Sequence, residues 1–293
     1  MDPLSERTVV LADGRTLRVA EYGVPEGRPV FFLHGTPSCR LAYPPAAADA
    51  RSKGIRLIGY DRPGYGGSSP APGRRIVDVA HDVAAIADHL GLRRFGVWGF
   101  SGGGAPALAC AAALPDRVAA AACLAGVAPY PAEGLDWMAG AGESNAEDFA
   151  MMLHDRAAWE AKSRRERDEM LAAGPVQLAA ILSTLLSEVD RASLTDEMAN
   201  WLVATAHEGL RPGEAGMRDD NLSCALPWGF DLATIRVPLQ VRHGGQDRFV
   251  PIAQGEWLAA RIPNVEAHLE PALGHLSLLR RVPDVHAWLV GHL

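Results

Sequence analysis

One serine of this chain stands at the centre of a Gly-x-Ser-x-Gly motif, in which Gly99 precedes Ser101 by two positions and Gly103 follows it by two. The apolar residues 95–98 before the motif predict a β-strand, and the alanine-rich stretch 105–114 after it predicts a helix. A chain that turns directly from strand to helix brings its backbone segments close together, so glycine is needed at both flanking positions. This arrangement predicts that the Ser101 hydroxyl lies on a strained turn beside a helix N-terminus, where it can act as a nucleophile.

A nucleophilic serine needs a general base and a group that orients the base, and both are present further along the chain. Asp247 follows a predicted strand at 239–242, and His275 follows another at 265–269. Each side chain is therefore expected at the end of a strand, and the order along the chain is serine, aspartate, histidine. Two further acidic residues of this region remain alternatives for the orienting role, namely Asp231 and Glu270.

These motifs resemble those of the α/β-hydrolase fold family, in particular its lid-bearing serine hydrolases. That branch includes esterases, C–C bond hydrolases, proline iminopeptidases and cofactor-free haloperoxidases. The resemblance extends over nearly the whole chain except its middle section. The motifs that carry it are Phe31-Phe-Leu-His34-Gly35-Thr36-Pro37, Tyr60-Asp-Arg-Pro-Gly-Tyr-Gly-Gly-Ser68, Gly99-Phe-Ser-Gly-Gly103, Gly245-Gln-Asp247 and Gly274-His275.

The resemblance implies a catalytic triad and an oxyanion hole. The triad would consist of Ser101, Asp247 and His275. The oxyanion hole would be formed by the backbone N–H groups of Thr36 and Gly102, because the family uses the amide after the nucleophile and an amide in the loop after His-Gly. Two donors matter because the tetrahedral intermediate places a full negative charge on one oxygen.

The hydrophobic pattern predicts an α/β fold with a mostly parallel central sheet flanked by helices, as the resemblance also implies. Continuous apolar runs are typical of parallel strands that are buried on both faces. Such runs are expected to form the main sheet at 30–33, 57–60, 95–98, 120–125, 239–242 and 265–269. A hairpin around Asp13-Gly14 is expected before them, and helices are expected at 76–90, 252–261 and 283–292.

The interval 129–228 breaks the alternation of strands and helices and is expected to be a helical lid inserted into a core formed by 1–128 and 229–293. Its predicted helices are 146–153, 157–171, 176–189 and 196–208. The apolar residues from Leu178 to Val189 are expected to roof an apolar pocket over the serine. Possible pocket residues are His34, Phe100, Trp137 and Leu182.

An uncharged acyl group is the expected substrate, because the predicted lid face is apolar. Glu143 and Glu147 keep open a proline iminopeptidase, which must bind an ammonium group, although capping of a helix at Ser144 or Asn145 explains these acids more simply. A C–C bond hydrolase, a perhydrolase and an acyltransferase would share every motif. A small-ligand receptor of the same fold is the non-enzyme alternative.

The composition agrees with a single compact enzyme that acts on a small molecule. The 293 residues are 48% hydrophobic and carry a net charge of −7, and the basic residues near Arg164 are neutralised by neighbouring acids, which argues against nucleic acid as a partner. No signal-like or membrane-spanning segment is evident, so a cytoplasmic location is expected. The four cysteines lack metal-binding spacing, and no metal or cofactor is expected. The oligomeric state is left open.

Overall fold

The structure is a computed structural model that describes residues 2–293. Within that range, eight strands form one sheet in the order β1-β2-β4-β3-β5-β6-β7-β8. The strands are β1 (Ser5–Val10), β2 (Thr16–Gly23), β3 (Arg28–Leu33), β4 (Ile55–Tyr60), β5 (Phe95–Phe100), β6 (Val118–Leu124), β7 (Leu239–Gly244) and β8 (Val265–Glu270). The pairs β1–β2 and β2–β4 are antiparallel and the remaining pairs are parallel, which confirms the predicted mostly parallel α/β fold.

The parallel pairing brings the chemically important loops to one edge of the sheet. Leu33 at the end of β3 pairs with Gly99 near the end of β5, so the loop after β3 begins beside the serine turn. In the same way, His243 near the end of β7 pairs with Leu269 near the end of β8. Loops at the carboxyl ends of parallel strands form the usual ligand-binding edge of such sheets.

Eleven α-helices accompany the sheet in the described part of the chain. They are α1 (Pro44–Ser52), α2 (Asp78–His89), α3 (Gly104–Ala113), α4 (Glu143–His154), α5 (Arg156–Ala172), α6 (Pro175–Ile181), α7 (Glu188–Ser193), α8 (Asp196–Leu210), α9 (Ala215–Cys224), α10 (Ile252–Arg261) and α11 (Val282–Val290). One face of the sheet packs against α2, α3 and α10, and the other packs against α1 and α11. None of the helices in residues 2–293 combines the length and the hydrophobicity needed to cross a bilayer.

Helices α4 to α9 lie between β6 and β7, in the interval expected to be helical. The prediction of one continuous helix over 176–189 is wrong, because α6 ends at Ile181 and α7 begins at Glu188. The Ser187 hydroxyl accepts a hydrogen bond from the N–H of Asp190 and caps the new helix. Helices α1 and α9 were not predicted, since neither sequence has a strong apolar stripe.

The expected N-cap of α4 is also wrong. The helix begins at Glu143 after Gly142, so Ser144 and Asn145 lie inside its first turn. Their side chains connect α4 to other segments: Ser144 Oγ lies 2.7 Å from Thr184 Oγ1, and Asn145 Nδ2 donates to the Phe249 carbonyl over 3.1 Å. These polar residues therefore hold the insertion together and attach it to the loop after β7.

Candidate active site

Ser101 lies at the sharp turn between β5 and α3. Its φ of +55° places it in the left-handed region, which is unusual for a residue with a side chain. A Cβ on Gly99 would clash with the carbonyl oxygen of Gly103, and a Cβ on Gly103 would clash with that of Leu33. The two glycines therefore permit the close approach of backbone segments that the turn requires.

The loop after β3 places Thr36 directly beside this turn. A Cβ built on Gly102 would lie 3.3 Å from the Thr36 backbone nitrogen, so the two amides are neighbours. Neither N–H donates a hydrogen bond in the turns and loops of residues 2–293. Two adjacent amides of this kind are suited to bind one developing oxyanion.

The buried carboxylate of Asp220, on α9, holds the Thr36 side chain in place. Asp220 Oδ2 accepts hydrogen bonds from Thr36 Oγ1 over 2.6 Å and from the Tyr65 hydroxyl over 2.7 Å. It also pairs with Arg62, while its Oδ1 accepts from Arg74 over 2.7 Å. Burial opposes ionisation, but the two guanidinium groups and the hydrogen bonds outweigh it and hold the pKa of Asp220 well below its ordinary value. No pattern in the sequence pointed to Asp220 as part of the site.

His34 belongs to the framework of the same loop and does not line the cavity, which corrects the expectation for this residue. Its Nδ1 lies 2.8 Å from the Gly35 carbonyl oxygen, and its Nε2 accepts the N–H of Arg62 over 3.1 Å. Burial and the neighbouring Arg62 lower the pKa of His34 well below its ordinary value. The imidazole is therefore neutral, and both its nitrogens are engaged in shaping the loop.

His275 and Asp247 form a buried pair at the ends of β8 and β7. His275 Nδ1 lies 2.6 Å from Asp247 Oδ2. Asp247 Oδ1 accepts the backbone N–H groups of Phe249 and Val250, over 2.8 and 2.9 Å, so both carboxylate oxygens are used. This arrangement fixes the imidazole and leaves its Nε2 for proton transfer.

The His275 ring lies between two aromatic side chains. The ring centroid of Phe249 is 4.5 Å away, and that of Phe100, the residue before the serine, is 4.8 Å away. Phe100 packs on the imidazole and is not part of the cavity wall, so its expected pocket role is corrected. Within residues 2–293, no hydrogen bond joins Ser101 Oγ to His275 Nε2, although the neighbouring residue Phe100 packs on the imidazole. Such contacts often tighten only when substrate binds.

The alternative acids have other partners. The Asp231 side chain accepts the Ala233 N–H over 2.9 Å and caps a short helical turn. Glu270 pairs with Arg281 over 2.6 Å and with Arg242 over 3.4 Å. Asp247 is therefore the acid that contacts the imidazole of His275.

A second histidine, which sequence reasoning missed, lies behind this pair. His243 Nε2 is 3.6 Å from Asp247 Oδ2 and 2.8 Å from the carbonyl oxygen of Val250. Burial lowers the pKa of His243, so the ring is neutral and leaves the negative charge of Asp247 for His275. The sequence signal that could have identified His243 is its position at the end of β7, four residues before Asp247.

A cavity of about 280 Å³ opens over Ser101, Gly102 and Thr36. Trp137 and Leu182 are among the residues that line it. Most of the other lining residues come from the helical insertion, and the apolar ones among them include Met138, Phe149, Met152, Met170, Ile181 and Leu185. The cavity therefore suits an apolar group attached to a reacting carbonyl.

Three charged residues of the insertion that line the cavity are paired with one another. Lys162 Nζ donates to Asp148 over 2.7 Å and to Glu166 over 2.6 Å. Burial raises the pKa of Glu166, and the hydrogen bond from Lys162 opposes this rise. Glu143 and Glu147, the acids considered for ammonium binding, are exposed and do not line the cavity.

Comparison with known proteins agrees with this geometry. A family model described as the alpha/beta hydrolase fold matches residues 28–282. A non-heme haloperoxidase of Rhodococcus erythropolis is 29% identical over 97% of this chain and 98% of its own length. A non-heme chloroperoxidase of Streptomyces lividans is 30% identical over 84% of each chain. Among solved structures, a thermophilic esterase from Thermogutta terrifontis superposes with a TM-score of 0.71 at 23% identity, covering 98% of this chain and 99% of its own. These matches confirm the predicted family and enzyme class: the chain belongs to the alpha/beta hydrolase fold family.

Proposed function

We propose that this protein is a serine hydrolase that cleaves small carboxylic esters through an acyl-enzyme. The observation that carries the proposal is the assembly of three parts at one edge of the sheet. Ser101 lies on a left-handed turn, the amides of Thr36 and Gly102 lie beside it, and His275 is held by Asp247 over 2.6 Å.

The reaction follows from these roles. Ser101 Oγ attacks the ester carbonyl while His275 Nε2 takes its proton, and the two amides stabilise the oxyanion. The intermediate collapses as His275 returns the proton to the departing alcohol, which leaves the acyl group on Ser101. Water, deprotonated by His275, then attacks the acyl carbonyl and releases the acid. Asp247 orients the imidazole and stabilises its charged form in both halves.

An uncharged acyl group is favoured over a substrate with an ammonium group. We assign residues 129–228 as a lid over the core formed by 1–128 and 229–293, and the lid supplies most of the apolar wall. Of the three carboxylates in the cavity wall, Asp220 is paired with Arg62 and Arg74, whereas Asp148 and Glu166 are both bound by Lys162. A substrate ammonium would have to compete with this lysine, whereas an alkyl or aryl group would not.

Perhydrolysis is a second candidate because two relatives, 29% and 30% identical, are named as a haloperoxidase and a chloroperoxidase. Hydrogen peroxide would replace water in the second half-reaction. Its attack on the acyl-enzyme would release a peracid and restore the Ser101 hydroxyl.

A substrate panel tests these assignments. Purified protein is assayed with p-nitrophenyl esters of graded acyl length and with prolyl-p-nitroanilide, and the Ser101→Ala variant is the matched control. We expect turnover of short to medium esters, none of the prolyl substrate, and none by the variant. Faster cleavage of the prolyl substrate would replace the esterase proposal with an iminopeptidase. Peracid formation on addition of hydrogen peroxide and a carboxylic acid would add the perhydrolase activity.

A further inference from the structure

A buried carboxylate of the helical insertion holds the backbone of the loop that carries His275. Asp190, on α7, is 0% exposed. Its Oδ2 accepts the His275 N–H over 2.9 Å, and its Oδ1 accepts the Ser277 N–H over 2.9 Å. The Ser187 hydroxyl donates a third hydrogen bond to Oδ2 over 3.0 Å. Asp190 thus binds two amides of a segment 85 and 87 residues away.

The local structure explains why an acceptor is needed there. A short helical turn, Leu276–Arg281, begins directly after His275, and the first N–H groups of a helical turn have no partner inside it. Gly274 makes the approach of Asp190 possible, since a Cβ at this position would lie 2.6 Å from Asp190 Cγ. A larger residue at 274 would force the carboxylate away from both amides.

No cation compensates the charge of Asp190 within residues 2–293, because its side-chain partners there are the two amides and one hydroxyl. The carboxylate therefore depends on these three hydrogen bonds. Conversely, its removal would leave two buried N–H groups without an acceptor, and such groups are costly in a folded protein. The loop would be expected to shift until water or another acceptor reached them.

We propose that Asp190 is a positioning residue for His275, an inference that rests on the proposed function of this site. Asp247 fixes the imidazole through Nδ1, and Asp190 fixes the backbone N–H of the same residue. Asp247 of the core thus holds the His275 side chain, and Asp190 of the insertion holds the His275 backbone. The insertion then helps to build the catalytic geometry in addition to covering the cavity.

The test compares Asp190→Ala and Asp190→Asn with Ser193→Ala. Ser193 is buried in the same helix and donates to the Val189 carbonyl over 2.6 Å, so its loss perturbs α7 without touching the histidine loop. For Asp190→Ala we expect kcat for a p-nitrophenyl ester to fall about 10- to 100-fold with KM nearly unchanged. The kcat of Asp190→Asn should lie between those of Asp190→Ala and the wild type, because the asparagine amide oxygen can accept one N–H. Ser193→Ala should keep the wild-type kcat.

Labelling with a fluorophosphonate separates positioning from simple loss of fold. If Asp190 positions His275, the folded Asp190→Ala variant labels slowly but reaches the wild-type stoichiometry. If instead stoichiometry falls while the rate per labelled site is unchanged, the residue acts on stability alone and the inference is overturned. A folded Asp190→Ala variant with wild-type kcat would overturn it equally.

A readout independent of turnover keeps this test distinct from that of the proposed function. The Nδ1 proton shared by His275 and Asp247 gives a low-field proton resonance that reports the geometry of the pair. We expect this resonance to shift or disappear in Asp190→Ala and to persist in Ser193→Ala. An unchanged resonance would overturn the positioning role. If Asp190→Ala shifts the resonance but the wild-type protein neither cleaves esters nor is labelled at Ser101, only the proposed function is overturned.

Discussion

The α/β core and the helical insertion contribute different things to the same site. The core supplies the proposed reacting groups, Ser101 and the His275–Asp247 pair, on loops at the carboxyl ends of its strands. The insertion supplies most of the cavity wall and two buried carboxylates: Asp220 holds the loop that carries Thr36, and Asp190 holds the loop that carries His275. This difference shows that short segments of the core carry the proposed reacting groups. The residues that hold those segments in position are distant in the chain.

The two carboxylates of the insertion differ in how their charge is stabilised. Asp220 is paired with Arg62 and Arg74, whose side chains are 0% and 4% exposed. Asp190 relies on backbone N–H groups and one hydroxyl. Loss of Asp220 would leave Arg62 without a charge partner and Arg74 with only the more distant Asp219, whereas loss of Asp190 would leave only amides without an acceptor.

The largest effect is expected at the core pair. Asp247→Asn should lower kcat by about 10⁴-fold, because the amide favours the wrong tautomer of His275. Steady-state kinetics on an activated ester measures the change. Glu270→Gln is the matched control, since Glu270 follows the neighbouring strand but pairs with Arg242 and Arg281. A mild Asp247→Asn variant beside an inactive Glu270→Gln variant would contradict the assignment.

A large loss of stability is expected at Asp220. Asp220→Asn should lower the free energy of unfolding by about 3–5 kcal/mol, because it leaves Arg62 buried without a charge partner and Arg74 with only the more distant Asp219. Asp190→Asn should cost about 1–3 kcal/mol, since it weakens hydrogen bonds only. Urea unfolding of both variants against the wild type tests the contrast. An equal or larger loss of unfolding free energy in Asp190→Asn would show that charge pairing does not distinguish the two carboxylates.

The contribution of Asp220 should also depend on pH. Its pKa is lowered in the folded protein, so the stability it provides is present above the ordinary carboxyl value of 3.8 and is lost as pH falls toward the folded pKa. The difference in unfolding free energy between wild type and Asp220→Asn should therefore be constant between about pH 5 and 7 and shrink below about pH 4. A difference that grows on acidification would contradict the sign of this shift.

The smallest effect is expected in the cavity wall. Leu182→Ala enlarges the cavity and should raise kcat/KM for longer acyl chains relative to short ones by about 10-fold, as expected for a few methylene groups. Val176→Ala, in the preceding helix α6, is the control because Val176 is 79% exposed. An unchanged chain-length preference in Leu182→Ala would show that the acyl group does not occupy this part of the cavity.

The sequence predicted those parts of the site that depend on local geometry. Gly99, Ser101 and Gly103 lie within five positions, and the turn they form follows from the sterics of that segment. Asp220 contacts Thr36 across 184 positions, and an acid on a polar helix carries no local signal of such a partner. The prediction of one helix over 176–189 failed for a related reason. The apolar spacing continues across the break between α6 and α7, where Ser187 caps the second helix.

The most direct test of the acyl-enzyme mechanism is the mass of the intact protein after brief reaction with an activated ester and acid quenching. We expect one added acyl group, located on Ser101 by peptide mapping and absent from the Ser101→Ala variant. We also expect that hydroxylamine removes the group, because the group is bound as an ester. Ester turnover without a serine adduct, or an adduct that persists in Ser101→Ala, would contradict the acyl-enzyme mechanism.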